Sequence, residues 1–540
     1  MLTYTPPELR RVAPSYEKPW LLLLLAFAWL WPGVFSHDLW NAEPAVFEAV
    51  AELNDGGIWL PTVLGQPYFE VSPVYLWVAA GFKALLSPAV ADAYSAARFA
   101  TVAFTALGLM CCGMAGYRFL GRHHGRSVVL ILIGSPGLIM MGHMLGGMSV
   151  VFAALGMVLY GLSLAKTRVI MASLLLGIGV ALLAWSAGLL VPAVLLLAAC
   201  ALVCSRQWQY KRYYVSLVGT LAVGLPLAWL YPYALYKSNE AVFALWQNRY
   251  MFGVFGGLET LRADFSLLYY ARNILWFTFP AWLLAGWTAY NRRLLEYDWG
   301  VLALVWLAVA SALLAVAPHQ NQDYLVWLLP PLALLGAANL DSLRRGVAAF
   351  LNWFGIMTFG LLALFLWLGF FAMNYGWPEK LAERAAYFSP FYEPRIKWIP
   401  MIVAVSFTPV WLWAITRQHI RGRQAVTNWA AGMTLVWALL MTLFLPWLNA
   451  AKSYQPVVAQ MNKLPLSPQA CVAVAAEAHT ARLAWSQYGN VSLHVDDAAC
   501  RYRLVQQALN SMPPEGWAKI WQGARPRSRG EGFALLQKIE

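Results

Sequence analysis

The stretch SHDLWNAEPAVFEAVAELNDGGIWLPTVLGQPYFEVSPVYLW, residues 36–77, is acidic, aromatic and interrupted by Pro and Gly. It follows directly on the first apolar segment, residues 20–35, and nearly everything around it is hydrophobic. Of the six carboxylates in the stretch, four stand out as site candidates near one bilayer surface: Asp38, Glu43, Glu48 and Glu70. Carboxylates persist at such a surface only where water, a counter-charge or a ligand meets them. The stretch therefore predicts a binding or reaction site.

The composition is that of a polytopic α-helical membrane protein. Of 540 residues, 60% are hydrophobic and 12% are charged, and the mean hydropathy is +0.56. A soluble domain carries about 25% charged residues. The 28 Trp and 25 Tyr suit helix ends that lie at headgroup level. We therefore expect an all-α membrane domain.

The net charge of +13 does not indicate nucleic-acid binding. The basic residues lie in short clusters between apolar runs, as the positive-inside rule requires, and no basic stripe with interleaved aromatics follows a polar domain. We place all of these clusters in the cytoplasm. They are Arg10–Arg11–Lys18, Arg118–Arg122–Arg126, Lys166–Arg168, Arg206–Lys211–Arg212, Arg292–Arg293, Arg344–Arg345 and Arg417–Arg421–Arg423.

The apolar runs between these clusters predict about thirteen membrane-spanning helices. They cover residues 19–35, 97–117, 127–144, 147–165, 169–185, 187–204, 214–236, 267–290, 300–317, 324–340, 347–374, 398–416 and 427–448. Residues 1–18 then form a cytoplasmic N-terminus, and the large polar segments all fall on the extracytoplasmic side. These segments are the outer loops 36–96, 237–266 and 375–397 and a C-terminal domain, 451–540.

Two short helices are predicted within the first outer loop. Residues 73–86 form an apolar run of about fourteen residues, which is short for a span and typical of a re-entrant or interfacial helix. The preceding segment is amphipathic, with Asn41 as its N-cap and Asp55-Gly56-Gly57 at its end. Such a helix would lie in the plane of the outer surface. Glu48 and Glu52 on its polar side are then either simply solvated or part of a site.

Residues 451–540 predict a small α/β domain. The runs Cys471–Ala475 and Val491–Val495 have strand composition, and residues 477–488 have a helical pattern. Because Cys471 and Cys500 both fall on the oxidising side, we expect a disulfide between them, with two buried free thiols as the alternative. The remaining cysteines lie in or beside spans, without partners at zinc spacing, and are expected to be small apolar residues. These are Cys111, Cys112, Cys200 and Cys204.

Four motifs lie in the first two outer loops and at the start of the predicted span 324–340. They are Asn41-Ala42-Glu43, Gly65-Gln66-Pro67-Tyr68-Phe69-Glu70-Val71-Ser72-Pro73, Phe243-Ala-Leu-Trp246-Gln-Asn-Arg249 and Tyr324-Leu-Val-Trp-Leu-Leu-Pro330-Pro331. Together they resemble the motifs of the GT-C type membrane glycosyltransferases. The nearest group is the protein O-mannosyltransferase superfamily, and within it the lipid A aminoarabinose transferase branch. The resemblance covers most of residues 19–450 and includes an outer C-terminal domain.

The resemblance implies a GT-C fold and a transferase activity in the inner membrane of a bacterium. Such an enzyme takes a sugar from a polyprenyl-phosphate-linked donor and passes it to a lipid, glycan or protein acceptor on the periplasmic side. Its partners are then the donor, the acceptor and membrane lipids, with no nucleic acid. The sequence departs from the family pattern in five places. His37 stands where the family has Asp, with Asp38 one position late, Val71 replaces a Lys, and Asn248–Arg249 replaces a Glu-His pair. A second family Asp is absent from His143–Ser149, and the polar run His319–Asp323 stands where a Lys is expected.

Glycosyl transfer requires a carboxylate that accepts a proton from the acceptor hydroxyl or orients it. Asp38 is the first candidate for this role, because it stands where the chain leaves the first span. Glu43 and Glu70 are the next candidates. No cofactor is certain from the sequence, but His37 together with Glu43 or Glu70 offers ligands that suit a divalent metal ion.

The departing phosphate requires positive charge where its negative charge accumulates. Arg249 and Arg272 are candidates, since arginine binds phosphate with two parallel donors. The alternative for Arg272 is a side chain that reaches from a span to the interface. The candidates for substrate contact are His319, Asp323 and Tyr68, and for the first two the alternative is an ordinary short polar loop.

Two other classes of function stay open. A transporter of lipid-linked sugars is disfavoured, because no inverted repeat is visible and ionisable residues are scarce at mid-membrane depth. A catalytically silent relative that binds a lipid or a partner enzyme is favoured by the departures from the family pattern.

The charge clusters make a testable prediction of topology. Single cysteines at positions 320 and 460 should react with an impermeant thiol reagent added outside, and cysteines at 122 and 420 should not, because basic loops are retained in the cytoplasm. Labelling at 122 from outside would contradict the thirteen-span arrangement and make residues 73–86 a full span.

Overall fold

The computed structural model describes residues 19–53, 57–416, 422–467, 470–497, 499–509, 511–528 and 532–539. The predicted cytoplasmic segment 1–18, the predicted helix end at Asp55-Gly56, and the basic residues Arg417 and Arg421 lie outside these ranges.

Helices account for nearly all of the chain up to residue 452. In chain order they are α1 Pro19–Leu30, α2 Glu43–Ala51, α3 Pro73–Leu86, α4 Ala93–Leu120, α5 Arg122–Ile133, α6 Pro136–His143, α7 Met148–Leu164, α8 Val169–Ala187, α9 Leu190–Ala201, α10 Lys211–Ser238, α11 Glu240–Arg249, α12 Leu267–Phe277, α13 Ala281–Asn291, α14 Asp298–Ala315, α15 Leu329–Ala338, α16 Arg345–Tyr375, α17 Glu379–Phe388, α18 Trp398–Ile415, α19 Gly422–Leu439 and α20 Leu445–Lys452. Short 3₁₀ turns and one π turn lie between them, at Leu202–Cys204, Arg206–Trp208, Gly253–Phe255, Leu294–Glu296, Gln322–Leu328, Leu340–Ser342 and, for the π turn, Leu440–Phe444.

The structure confirms a multi-pass helical protein but not the count of thirteen spans. Within the described residues, seven helices are long and apolar enough to cross a membrane, or eight if the bent pair α5–α6 is one span. Several predicted spans are interrupted where a proline stands. The axes of α5 and α6 differ by 75° at the break before Pro136, and α12 and α13 are separated at Pro280. Proline lacks the N–H that a continuous helix needs.

The helices pack in sequence around one apolar core. α4 packs against α5 and α7, α7 packs against α8, and α8 packs against α10. α4 and α7 approach closely because both have glycine at the crossing. A Cβ atom on Gly156 would lie 2.9 Å from the carbonyl oxygen of Gly108. Since protein interiors are close-packed, this crossing has no room for a larger side chain.

The first outer loop is folded into α2, a two-stranded hairpin and α3. The hairpin pairs β1, Thr62–Val63, with β2, Gln66–Pro67. Its turn residues, Leu64 and Gly65, both have positive φ, at 55° and 75°. This is the requirement of a two-residue type I′ turn. α3 has the bounds expected from the sequence, and its placement as a re-entrant helix stays a prediction.

Two expectations for α2 are wrong. Asn41 does not cap the helix, because it has φ of 52° and Ala42 occupies the N-cap position without a side-chain bond. The carboxylate of Glu43 accepts the free Trp40 N–H instead. Glu48 is not a solvated residue but is 9% exposed. The C-terminal domain covers it, a contact between distant parts of the chain that the helical pattern alone does not show.

The C-terminal domain contains a mixed five-stranded sheet and two helices. The sheet order is β4-β3-β5-β7-β6, with β3 parallel to β4 and β5, and β7 antiparallel to β5 and β6. The elements are α21 Gln455–Met461, β3 Cys471–Val474, α22 His479–Tyr488, β4 Ser492–Val495, β5 Tyr502–Gln507, β6 Trp517–Gly523 and β7 Gly532–Lys538. The predicted strand, helix and strand between residues 471 and 495 are confirmed. The helices bury Val457 and Trp485 against Leu504 and Phe533.

The domain is fastened to the first outer loop through the end of α22. The Ser486 hydroxyl donates to Glu48 at 2.9 Å, and the Gln487 amide donates to the Pro44 carbonyl at 2.8 Å. The Leu39 N–H donates to the Tyr488 hydroxyl at 3.3 Å. Half-buried bonds of this kind each contribute about 0.5–1.5 kcal/mol, so the two regions position one another.

The expected disulfide between Cys471 and Cys500 is present. Under non-reducing conditions, proteolysis and mass spectrometry of the purified protein should recover the two cysteines as one linked peptide pair. Cys111 and Cys112, which are free thiols in α4, provide the internal control and should be fully alkylated after unfolding. Alkylation of Cys471 and Cys500 without reduction would contradict the bond.

Candidate functional site

A fully buried ion pair holds the first outer loop against the helices. Arg98 in α4 and Glu43 in α2 are each 1% exposed, and their closest contact is 2.6 Å. The second guanidinium nitrogen lies 2.8 Å from the other carboxylate oxygen. Glu43 also accepts the N–H groups of Trp40 and Leu145, both at 2.8 Å. Each of the two carboxylate oxygens of Glu43 therefore accepts two hydrogen bonds.

The charge of Arg98 sets the protonation of Glu43. Burial alone would raise the pKa of the Glu43 carboxyl, but the charge and hydrogen bonds of Arg98 hold it below its ordinary value. Glu43 is therefore ionised and saturated with donors. A carboxylate in this state stabilises structure but has no free lone pair with which to accept a proton from a substrate.

His37 is fixed as a neutral imidazole by the same arginine. Burial, together with the charge of Arg98, lowers the pKa of His37 to about 3. Arg98 lies 2.8 Å from Nδ1 of His37, and a guanidinium can only donate. Nδ1 also lies 2.6 Å from the carbonyl oxygen of Asp38, which can only accept. Nδ1 therefore accepts from Arg98 in one tautomer and donates to Asp38 in the other. The nearby carbonyl of Asp38 accepts directly from Arg98 at 2.9 Å.

Asp38 lies beside this cluster, and its carboxyl group makes fewer hydrogen bonds than that of Glu43. Its carboxyl oxygen Oδ2 is buried and has no hydrogen-bond partner in the described part of the chain. Burial raises the pKa of the Asp38 carboxyl to about 6, although a hydrogen bond with Ser453 and the charge of Arg98 oppose the shift. The Asp38 N–H donates to Asn449 of α20 at 3.3 Å. Asp38 is thus a carboxyl that exchanges its proton near neutral pH.

A separate cavity of about 1030 Å³ opens between the first two outer loops, the loop that carries His319 and the ends of the helices. Its apolar side is formed by residues of α7, α8 and α10, including Val151, Trp185 and Tyr231. Its polar side is formed by the loops. The polar groups that line it are Glu70, Arg249, Glu259, Arg262, His319, Asn321 and Tyr324. The cavity therefore combines an apolar wall with a charged end, a shape that suits an amphiphilic ligand.

The hairpin positions Glu70 at this cavity. Glu52, just after α2, accepts bonds from the Thr62 hydroxyl at 2.6 Å and from the Leu64 N–H at 2.6 Å, which anchors the turn. Phe69 packs against Tyr250 at a ring distance of 5.1 Å. Glu70 itself is exposed to the cavity. Its side chain makes no hydrogen bond or ion pair within the described residues, so its lone pairs are available to a ligand.

The second outer loop approaches α8 so closely that glycine is required. A Cβ atom on Gly188, which has φ of 76°, would lie 2.1 Å from the backbone nitrogen of Gly253. The Leu189 N–H donates to the Met251 carbonyl at 2.9 Å. This contact fixes the segment that follows Arg249, at the end of α11, and so determines where the guanidinium enters the cavity.

The cations of the cavity differ in how they are engaged. Arg262 in the second outer loop lies 3.1 Å from Nε2 of His319, which lies in the loop that follows α14. Arg249 is exposed to the cavity, and no hydrogen bond or ion pair holds its side chain in the part of the chain that the structure describes. An unpaired guanidinium at the end of an apolar cavity is suited to an anionic headgroup.

Of the sequence candidates, Glu70, Arg249 and His319 lie together in the cavity. The remaining candidates do not line the cavity. Tyr68 is half-buried behind the hairpin, where burial and the charge of Glu70 raise its pKa. Asp323 is half-buried, with its pKa raised by burial. Arg272 is exposed on α12. Asp38 and Glu43 belong to the buried cluster described above.

Three further residues of the site have no place among the sequence candidates: Arg98, Glu259 and Arg262. Arg98 had a signal, since an arginine near the start of an apolar span is expected to have a buried partner. Glu259 and Arg262 lie in an irregular loop without a motif. Tyr324 was part of a matched motif but was not assigned a role.

The metal prediction is not tested by this arrangement. In the described ranges, one group of three metal-type ligands lies close together, Cys471, Asp497 and Cys500. Its two cysteines are joined in the disulfide, so they are not available as thiolates. Nδ1 of His37 is occupied by its contacts with Arg98 and the Asp38 carbonyl, and Glu43 is saturated. Glu70, Glu259 and His319 remain as the metal-type ligands that face the cavity.

The fold matches solved structures of ArnT from Cupriavidus metallidurans. The apo structure matches with a TM-score of 0.59 and 16% sequence identity over 89% of this chain and 86% of that chain. The structure bound to undecaprenyl phosphate matches with a TM-score of 0.59 and 17% identity over the same shares. An oligosaccharyltransferase from Archaeoglobus fulgidus matches less well, with a TM-score of 0.44 and 12% identity over 90% of this chain and 65% of that one. No family model and no curated protein sequence matches the chain. At the level of fold, the resemblance found in the motifs is confirmed.

Thermal stability should distinguish the buried carboxylate of Glu43 from the cavity-facing carboxylate of Glu70. Glu43→Gln leaves Arg98 buried without its counter-charge and should destabilise the protein by about 3–5 kcal/mol. Glu70→Gln, at an exposed position, is the matched control and should leave the thermal unfolding temperature in detergent unchanged. Equal unfolding temperatures for the two variants would contradict a structural role for the ion pair.

The same pair predicts how stability depends on pH. Because the folded pKa of Glu43 lies below its unfolded value, its contribution is fully present above the unfolded pKa of about 4.3. The contribution is lost as pH falls through the folded value. Unfolding temperatures measured from pH 7 down to pH 3 should therefore fall in the parent, and should fall less in Glu43→Gln.

Proposed function

We propose that the protein is a glycosyltransferase that takes a sugar from a polyprenyl-phosphate donor bound in the 1030 Å³ cavity. The observation that carries this proposal is the cavity itself. One end gathers an unpaired guanidinium, a free carboxylate and a tyrosine from three different loops, and the remaining wall is apolar. The donor has the matching parts, which are a phosphate, a sugar and a long hydrocarbon chain.

Arg249 and Tyr324 are assigned to the donor phosphate. As the bond between the sugar and the phosphate breaks, negative charge accumulates on the departing phosphate oxygens. A guanidinium that is already in place stabilises that charge without rearrangement. The hydrocarbon chain then follows the apolar wall formed by α7, α8 and α10. The solved ArnT structure with undecaprenyl phosphate supports this class of ligand, since the two chains share the fold.

Glu70 is assigned to the acceptor hydroxyl. It is the carboxylate of the first outer loop that lines the cavity without being held by another side chain. It can accept the proton of the attacking hydroxyl as that oxygen bonds to the anomeric carbon of the sugar. Asp38, the first candidate from the sequence, lies in the cluster behind the loop, and its role stays a prediction to be compared with that of Glu70.

The acceptor and the orientation belong to the proposal as well. The acceptor is a lipid, glycan or protein that carries a hydroxyl or an equivalent nucleophile. We place the protein in the inner membrane of a bacterium, with the cavity and the C-terminal domain facing the periplasm. The basic clusters support this orientation, because they alternate with the outer loops along the chain.

Arginine variants test the donor site. Arg249→Ala should weaken binding of a polyprenyl phosphate by roughly tenfold or more, since a charge-assisted bond is worth about 1.5–3 kcal/mol. Arg272→Ala is the control, because its side chain lies on α12 and does not line the cavity. Affinity can be measured by titrating the lipid into the purified protein. Equal affinity for both variants and the parent would remove Arg249 from the site.

Carboxylate variants test the chemistry. Glu70→Gln should lower sugar transfer by about 10²–10⁴-fold, the range expected for loss of a general base, while lipid affinity is retained. Transfer from a radiolabelled lipid-linked sugar measures this directly. If Asp38→Asn is inactive and Glu70→Gln is active, the catalytic role belongs to Asp38. A parent protein that binds the lipid but transfers nothing from any donor would favour the silent relative.

A further inference from the structure

A second groove, of about 550 Å³, lies away from the donor cavity, where four segments meet. They are Phe35–Ser36 after α1, Lys397–Pro400 at the start of α18, Met441–Thr442 in the π turn and Leu445–Pro446 at the start of α20. Its volume falls in the range of about 300–1,000 Å³ that is usual for ligand sites. None of the residues that line it lines the donor cavity.

The walls of the groove are mostly apolar, with Lys397 as the one charged residue and Ser36 and Thr442 as the hydroxyl groups. The π turn supplies Met441, and Gly33 allows the end of α1 to approach it, since a Cβ there would lie 3.0 Å from the Met441 sulfur. The Thr442 hydroxyl donates to the Ala438 carbonyl at 2.6 Å, so its polarity is satisfied within the helix. A π turn widens a helix locally and is frequent at functional sites.

Lys397 supplies the positive end of the groove. It is the residue before α18, and it has no hydrogen bond or ion pair in the part of the chain that the structure describes. The N–H groups of Trp398 and Ile399 in the first turn of α18 lack acceptors within the helix and add the positive end of its dipole, whereas Pro400 has no N–H. The groove lining includes no acidic residue among those described. Of the acids near Lys397, Glu393 is engaged by Arg395 at 2.8 Å, and Asp38, which does not line the groove, is close enough for its charge to interact with that of Lys397.

The groove opens towards the surrounding bilayer. α18 is one of the helices long enough to cross a membrane, and only 11% of its apolar window is buried in the protein. Trp398 is 74% exposed and Ile399 is 78% exposed. A tryptophan at the end of an exposed span marks the headgroup level. The cation therefore lies at headgroup depth, with the apolar walls beside the hydrocarbon.

We propose that this groove binds one anionic phospholipid of the bilayer. The phosphate lies against Lys397 and the first turn of α18, and an acyl chain lies along Met441 and Leu445. A basic residue at headgroup depth attracts an anionic lipid, and the walls accept a chain that a free phosphate lacks. Bound there, the lipid joins α1, α18 and α20, and α20 also holds the first outer loop through Asn449.

Native mass spectrometry of the delipidated protein tests the proposal. Phosphatidylglycerol and phosphatidylcholine with the same acyl chains are titrated separately. We expect the parent to bind one phosphatidylglycerol more tightly than phosphatidylcholine. Lys397→Gln should weaken phosphatidylglycerol binding by roughly fivefold, which corresponds to the loss of about 1 kcal/mol for one basic residue, and should leave phosphatidylcholine binding unchanged.

Three further variants make the result specific. Lys380→Gln, at an exposed lysine on α17 outside the groove, should retain the preference of the parent. Arg249→Ala should retain it too, which separates the groove from the donor cavity. Ile399→Trp narrows the groove at an exposed position and should weaken binding of both lipids. Equal binding of the two lipids by the parent, an unchanged Lys397→Gln, or an unchanged Ile399→Trp would each overturn the proposal.

Discussion

The buried contact between Arg98 and Glu43 is the interaction on which the arrangement of the outer side depends. An arginine that is 1% exposed inside a helical bundle needs a partner of opposite charge, because removing such a charge from water costs several kcal/mol. Glu43 meets that need only if α2 folds back against α4. The contact therefore converts an acidic loop beside a membrane into a fixed part of the protein.

The shape of the 1030 Å³ cavity depends on this contact. Glu43 also accepts the N–H of Leu145, and Met148, three residues further on, lines the cavity. On its other side the loop continues into the hairpin that carries Glu70. The Glu43 carboxylate thus supports the cavity wall, while the Glu70 carboxylate faces the cavity. The division follows from environment, since the saturated group is buried and the free group is exposed to the cavity.

Much of the fold was predictable because its signals are local. Apolar runs locate the helices, and the composition near Cys471 locates a strand, a helix and a second strand in the C-terminal domain. The number of complete spans was not predictable, because prolines such as Pro136 and Pro280 interrupt runs that hydropathy treats as continuous. The loop residues Glu70, Arg249 and His319 were found from motifs and polarity. The pairing of Glu43 with Arg98 had no such signal, because the partners are 55 residues apart and no pattern links them.

The fastening of the first outer loop has a consequence for how the protein matures. The loop is made early in synthesis, but the groups that hold it, Asn449 in α20 and Ser486 in α22, are more than 400 residues further along the chain. A nascent chain that has inserted its first helices still lacks those partners. The outer loop reaches its final position only after the last helix and the C-terminal domain have been synthesised. The part of the cavity wall that this loop forms is therefore completed only at the end of biogenesis.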